Sequence, residues 1–307
     1  NLLQERIAAL LGKEAALFVP SGTMANQIAL KLLTRPGDDV IVGQNAHMMW
    51  HEAGAAAANS GVQFSPVGAG GKFTVGEFRE AVKPRGHIVF PPTGLVAIEN
   101  THNMGGGIVF PQQDAIAICA AAGNDGIDCY LDGARLFNAA TASGLSLAEL
   151  ARPFDLVSVA LSKGLGCPVG SVLAGGRAQI SRAVTARRRF GGAMRQSGIL
   201  AAAGLFALDH NVGRLTDDHA NARIIAEGLA PLPGVRLDLK TVQTNIVIWQ
   251  MAPEGPDAAT ITAKAKTAGV LISALGARTL RAVTHMDVSA EQCLHAAEAL
   301  ADVIGRG

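Results

Sequence analysis

The sequence predicts an α/β protein with a large domain on a mainly parallel sheet, residues 1–212, and a small α+β C-terminal domain, residues 213–307. Three observations predict it. Short apolar runs alternate with helix-patterned segments along the first two thirds of the chain, as in a sheet whose parallel strands are joined by helices on both faces. Several of these runs end on a polar or charged residue beside glycine, at the edge where open α/β sheets bind ligands. Beyond Pro231–Leu232–Pro233 the apolar runs shorten and alternate with two further helix patterns, which marks a hinge region and a second domain.

Taken in order, residues 1–11 carry apolar positions at helical spacing, with Gly12 just past the end. Residues 15–19 lead into Pro20–Ser21–Gly22–Thr23, and the helix MANQIALKLL follows, ended by Pro36–Gly37 and capped by Ser21 or Thr23. A strand over 40–42, a helix over 49–58 and a strand over 62–67 come next. A short helix over 75–82 precedes a strand over 95–99, which runs into Asn100–Thr101–His102–Asn103 and three glycines. A helix over 114–123 precedes a strand ending Cys129–Tyr130–Leu131, with Asp132 directly after it. Gly133 permits a turn there, and 134–142 has helical composition, placing Arg135 one turn from Asp132. The strand over 155–161 delivers Ser162 and Lys163, and the strand over 169–174 returns antiparallel to it. Helices over 176–189 and 195–211 and a further one from Leu215 complete the large pattern. The remainder offers strands at 235–239, 245–249, 270–273 and 278–283 and helices at 257–268 and 290–304.

Composition narrows the function. A chain of 307 residues buries a large core, 49% of it is hydrophobic, and the formal net charge is +1. That balance argues against a nucleic-acid surface or a polybasic membrane anchor. Apolar runs break well short of a bilayer span, and no signal peptide is visible. Cys119, Cys129, Cys167 and Cys293 are scattered without CxxC spacing, which suits buried thiols in a reducing, cytoplasmic setting rather than zinc or a disulfide framework. No metal motif is present. The chain starts at Asn1 rather than Met, so an upstream segment is expected.

Lys163 and Asp132 carry the chemistry. A lysine at a strand end beside glycines is open to desolvation and then acts as an amine nucleophile. Alone it reads as a surface lysine, and Asp132 alone reads as a helix cap. Together, on successive strand ends, they supply what pyridoxal phosphate needs: an amine for its aldehyde and a carboxylate to keep its ring nitrogen protonated. Ser21–Gly22–Thr23 at a helix start is an anion site, though such a triplet also caps ordinary helices. His47 and His102 follow strands, where a histidine stacks on a planar ring, shuttles protons, or simply bonds within its loop. Arg281 competes with Arg278 for a carboxylate, and Arg187–Arg188–Arg189 with Arg195 either bind phosphate or form a solvated face. The glycines after Lys163 are off dinucleotide spacing, and no SxxK or GxSxG is present.

In LFVPSGTMANQ, AHMMWHEAGA, AIENTHN, LDGARLFNA, LSKGLGCPVGS, GGAMRQSGILAAAG and LRAVTHMDVS, from Asn1 almost to the C-terminus, the chain resembles the low-specificity threonine aldolases. These are pyridoxal-phosphate enzymes of the aspartate-aminotransferase-like fold (fold type I) within the beta-eliminating lyases. The resemblance implies that Lys163 bonds the cofactor aldehyde and Asp132 pairs with the ring nitrogen. Arg135 would contact the phenolic oxygen and the substrate carboxylate, and His47 would stack on the ring. Gly22, Thr23 and Ser162 would cradle the phosphate, joined by Arg188 and Arg195 from a neighbouring subunit. Arg281 would bind the substrate carboxylate, and His102 would stand near the β-hydroxyl. A homotetramer, a dimer of dimers with shared sites, is also implied, acting on a small amino-acid substrate.

The implied reaction is reversible cleavage of L-threonine, L-allo-threonine or a related β-hydroxy-α-amino acid into glycine and an aldehyde, with His102 slightly ahead of His47 as base. Against the family pattern, this sequence starts after the Asp-Leu-Arg-Ser-Asp-type segment, has GGA before MRQ, and carries Met104 after His102. Two rivals stand beside it: a β-eliminating lyase or phenylserine-type aldolase on the same machinery, and a nucleotide-binding α/β module with Gly22–Thr23 on a phosphate.

Overall fold

The computed structural model describes residues 1–305, which divide into two compact units. The first comprises Asn1–Met104 and Phe110–Val212; the second comprises Gly105–Val109 and the chain from Gly213 on.

The first unit runs α1 (Leu2–Leu10), β1 (Ala15–Val19), α2 (Gly22–Leu33), β2 (Asp39–Gly43), α3 (His47–Trp50), α4 (Ala55–Ser60), β3 (Gln63–Val67), α5 (Val75–Ala81) and β4 (Thr93–Glu99). It continues through α6 (Gln112–Asn124), β5 (Asp128–Gly133), α7 (Leu136–Ser143), α8 (Leu147–Ala151), β6 (Leu156–Ala160), β7 (Ser171–Gly175), α9 (Arg177–Arg189) and α10 (Gly198–His210). Its seven strands form one sheet in the order β1-β7-β6-β5-β4-β2-β3. Pairs from β3 to β6 are parallel, and β7 alone runs against its two neighbours. The expected mainly parallel sheet is therefore present.

The strands are apolar without a break because both faces are covered. Val40, Val42, Leu95, Ala97, Tyr130, Leu156 and Leu173 pack with Ile28 and Leu30 of α2 and with Ile180 of α9. Alternate residues such as Ile41, Ile98, Leu131 and Val157 point to the opposite face, and they are buried too. This alternation fixes the site. Asp132 shares its face with Tyr130, Glu99 shares its face with Leu95 and Ala97, and β4–β5 pairing sets Glu99 opposite Asp132. All three polar residues therefore look toward α2.

The structure moves several expected elements. Residues 49–58 are two short helices, because Ala53 (φ 52°) and Gly54 (φ 71°) turn the chain between them. Asp132 lies inside β5 rather than after it, and Arg135 is the non-helical residue before α7 (φ −127°, ψ 37°) rather than part of its first turn. The helix expected over 195–211 starts only at Gly198, since Gln196 takes a positive φ of 50°. Ser21, not Thr23, caps α2, accepting from Met24 N at 3.1 Å. Helix α8 (Leu147–Ala151) adds an element beyond those expected, started by a capping box between Ser146 and Glu149.

The second unit holds α11 (Leu215–Leu229), β8 (Val235–Arg236), β9 (Ile246–Met251), α12 (Ala258–Thr267), β10 (Ser273–Ala274), β11 (Thr279–Val283) and α13 (Ala290–Gly305). Its antiparallel sheet has the order β10-β11-β9-β8, and Trp249, Leu280, Ile261 and Leu300 are central to its core. The strand expected over 235–239 keeps only two residues. Asp238 accepts from Lys240 N at 2.9 Å and starts a 3-10 turn over Leu239–Thr241, a local bond that replaces the strand ladder. Likewise the expected strand over 270–273 shrinks to Ser273–Ala274.

Candidate active site

The carboxyl ends of β2, β4, β5 and β6 gather the charged groups of the first unit. Asp132 is 5% exposed; its Oδ2 accepts from Asn26 Nδ2 at 2.8 Å and its Oδ1 from Ala134 N at 3.2 Å. Removing a carboxylate from water costs several kcal/mol, and hydrogen bonds to a charged group return only about 1.5–3 kcal/mol each. The charge of Lys163 also acts on Asp132 and offsets part of that cost. Lys163 stands three residues beyond β6. Burial and then the positive charge of Arg135 hold its amine below the ordinary lysine range, against the opposing pull of Asp132, Glu99 and Glu52. A lysine so placed has a larger neutral, nucleophilic fraction. Arg135 reaches Asn103, donating from Nη1 to Oδ1 at 3.4 Å.

The two histidines are held differently. His47 opens α3 just past β2, half-buried, with its main-chain N–H on Glu99 Oε2 at 2.7 Å and its ring Nδ1 3.2 Å from Glu52 Oε1. The Glu52 contact pushes its pKa up, opposed by burial, while Asp132 raises it and Lys163 lowers it. His102 is 1% exposed, with Nε2 3.6 Å from Glu99 Oε2. Gly71 (φ 81°) passes so close that a Cβ there would overlap the His102 ring, so glycine is required on both steric and conformational grounds.

Sequence reading missed the side chains that hold these groups. Asn26 and Gln27 are buried polar residues in the middle of an apolar helix, an arrangement readable as a polar network. Tyr130 is fully buried, donating from its hydroxyl to Asn26 Oδ1 at 2.7 Å, with Ser158 Oγ 2.8 Å away. Burial first, then the Asp132 charge, pushes the Tyr130 phenol well up, so it stays a donor. Glu52 and Glu99 lie within the segments AHMMWHEAGA and AIENTHN, but only the folded chain shows them to be buried.

The remaining candidates are placed as follows. Gly22 and Thr23 form the first turn of α2, and Ser162 is exposed next to Lys163. Arg188 lies in the last turn of α9 and Arg195 precedes α10, both exposed on this chain. Arg187, between them and α9's core, is used structurally, donating from Nη1 to Phe18 O at 2.7 Å. In the second unit, Arg281 is a half-buried residue of β11 whose pKa burial lowers. Its competitor Arg278 spends its guanidinium on the carbonyls of Ala252 and Gly255, at 2.8 and 2.7 Å.

These residues fit a planar aldehyde cofactor with a phosphate. The amine is desolvated, the carboxylate is buried on the α2 face, and the first turn of the twelve-residue α2 is open to an anion. Ser171 Oγ is buried without a hydrogen-bond partner among the described residues, 3.6 Å from where a Cβ on Gly22 would stand.

Comparison with known proteins gives the same direction. Residues 1–252 match the family described as beta-eliminating lyase. The low-specificity L-threonine aldolase of Escherichia coli is 42% identical over 293 residues, which cover 95% of this chain and 85% of that protein. The low-specificity L-threonine aldolase 1 of Arabidopsis thaliana is 40% identical over 253 residues, 81% of this chain and 71% of that one. Among solved structures, the threonine aldolase of Leishmania major superposes with a TM-score of 0.81 at 24% identity, covering 97% of this chain and 87% of that chain, a likeness of fold.

Proposed function

This chain belongs to the beta-eliminating lyase family, and we propose that within it the protein is a pyridoxal-phosphate-dependent low-specificity L-threonine aldolase. It is a lyase that splits L-threonine, L-allo-threonine and related β-hydroxy-α-amino acids into glycine and an aldehyde. The single observation that carries the reading is the pairing of a desolvated Lys163 with a buried Asp132 on neighbouring strand ends, in a chain 42% identical to such an aldolase.

Bound pyridoxal phosphate supplies an electron sink for the pair released at the substrate's α carbon. The chain's own residues do the rest. Lys163 holds the aldehyde through its amine, and Asp132 keeps a proton on the ring nitrogen. Gly22, Thr23 and Ser162 receive the phosphate. His47 covers the ring face, and Arg135 binds the phenolic oxygen. Arg281 is the arginine for the substrate carboxylate; the structural use of Arg278 supports this choice. One histidine accepts the β-hydroxyl proton as the Cα–Cβ bond breaks, and a proton returned to Cα completes glycine. His102 stands by the β-hydroxyl.

The working form is a homotetramer with shared sites, in which Arg188 and Arg195 serve a neighbour's phosphate. Their exposure supports this, as do Ile199 and Phe206, 79% and 60% exposed on α10. Four buried free thiols support a cytoplasmic setting, and no helix among the described residues is long and apolar enough to cross a membrane.

The test is a product assay on threonine, allo-threonine and phenylserine. Glycine with the matching aldehyde is expected. A 2-oxo acid with ammonia would instead make the protein an eliminating lyase, and turnover confined to phenylserine would make it an aldolase for bulkier substrates.

A further inference from the structure

Glu52 has no part in the roles given above, yet its side chain is completely buried. It lies in the turn between α3 and α4, where Ala53 and Gly54 in the left-handed region bring it back under α2. Two amides of that helix hold it: Asn26 Nδ2 donates to Oε1 at 2.7 Å and Gln27 Nε2 to Oε2 at 2.8 Å. The same Oε1 lies 3.2 Å from Nδ1 of His47. Asn26 also donates to Asp132 Oδ2 at 2.8 Å, while its own Oδ1 accepts from Tyr130 at 2.7 Å.

We propose that Glu52 is a positioning residue: it fixes the Nδ1–H tautomer of His47 and, through the shared Asn26 amide, holds that ring in register with Asp132, leaving Nε2 as the nitrogen that accepts a substrate proton. A carboxylate held by two amide donors is an acceptor toward any third group, so the imidazole nitrogen facing it carries the proton. A neutral ring then has a bare lone pair on Nε2, the state a general base requires. The assignment of that lone pair to the β-hydroxyl rests on the aldolase reading; the tautomer does not.

Asn26 makes the device cooperative. Its two N–H bonds are divided between two carboxylates and its carbonyl is occupied by a phenol. Flipping this amide would turn its oxygen toward Glu52 and Asp132 and lose both carboxylate contacts. One turn of α2 therefore holds both the acid for the ring nitrogen and the acid behind the histidine. A plain structural role for Glu52, pinning the α3–α4 turn to α2, would need only Asn26 and Gln27 and would leave His47 indifferent to it.

The groups that face His47 are Glu52 at Nδ1, Glu99 at the main-chain N–H, Asp132 and Lys163 acting through space, and the His51 ring with its centroid 5.5 Å away. Of these Glu52 acts most strongly, and it favours the protonated ring. Lys163 opposes it.

The experiment is nitrogen NMR of ring-labelled histidine in the full chain loaded with pyridoxal phosphate, the His47 signals assigned by their loss in His47→Asn. The expected result is an Nδ1–H tautomer with a pKa above the free value of about 6.5. In Glu52→Gln that pKa falls by about one unit or more, and kcat falls with little change in KM. An Nε2–H tautomer in the unmodified protein overturns the proposal and needs no variant to fold. So does a folded Glu52→Gln protein whose His47 titrates as before. A correct tautomer and titration in a protein that yields no glycine from threonine would sink the aldolase reading and leave the Glu52–His47 pair intact.

Discussion

Both units of this protein bury polar side chains, and they do so to different ends. In the second unit Asp218 is fully buried against Arg214 at 2.6 Å, and its main-chain carbonyl accepts from Thr284 at 2.6 Å. Asn245 donates to the Thr284 carbonyl at 2.9 Å, so that cluster joins α11, β9 and the end of β11. Its partners lie within the cluster and tie elements together. In the first unit the buried acids Asp132 and Glu99, at strand ends, and Glu52, in the α3–α4 turn, stand among Lys163, Arg135 and two histidines. There the charges face groups with chemistry left to perform. Burial alone does not mark a functional site. Buried charge beside a desolvated nucleophile, at the carboxyl edge of a parallel sheet, does.

The sharpest way to test that contrast is Lys163→Ala. The variant should fold, bind no cofactor covalently and give no measurable cleavage of threonine; substantial residual turnover would remove Lys163 from its role. Asp132→Asn should lower kcat on the order of a hundredfold, the scale of losing one preorganised electrostatic contact, read from steady-state kinetics on fully loaded protein. Asp218→Ala should do the opposite. It strands Arg214 and should cost on the order of 3 kcal/mol in stability by denaturant unfolding, with kcat per folded molecule unchanged. A loss of kcat at unchanged stability there would break the comparison.

The smallest effect is in pH dependence. Because burial lowers the Lys163 pKa, the folded, cofactor-free chain holds fewer protons than the unfolded chain between the lowered value and the ordinary 10.5. The unfolded state then binds the excess proton, so stability rises with pH across that window. Below it both states are protonated, and the full penalty for the buried charge is present. Lys163→Met, which has no such proton, should show a flatter stability profile over the same range.

Much of this was legible in the sequence because two-sided burial gives continuous apolar runs, and β2, β4, β5 and β6 all announce themselves that way. Lys163 and Asp132 were legible because each follows such a run. The supporting groups were less so. Glu52 sits in what reads as one helix over 49–58, and only the left-handed Ala53–Gly54 pair breaks it. Ala53 gives no warning, since alanine favours helix and tolerates the left-handed region poorly. Asn26 and Gln27 did give a signal, two amides amid apolar neighbours, whose partners lie 26, 106 and 25 residues away. In the second unit the short strands were overdrawn because Asp238 satisfies a nearby N–H and ends the ladder early.

The most direct measurement of the central claim is borohydride reduction of the protein loaded with pyridoxal phosphate, followed by peptide mass analysis. The account predicts that the visible band disappears and that a single pyridoxyl label is found on Lys163. A label on another lysine, or a colourless protein indifferent to borohydride, would contradict it.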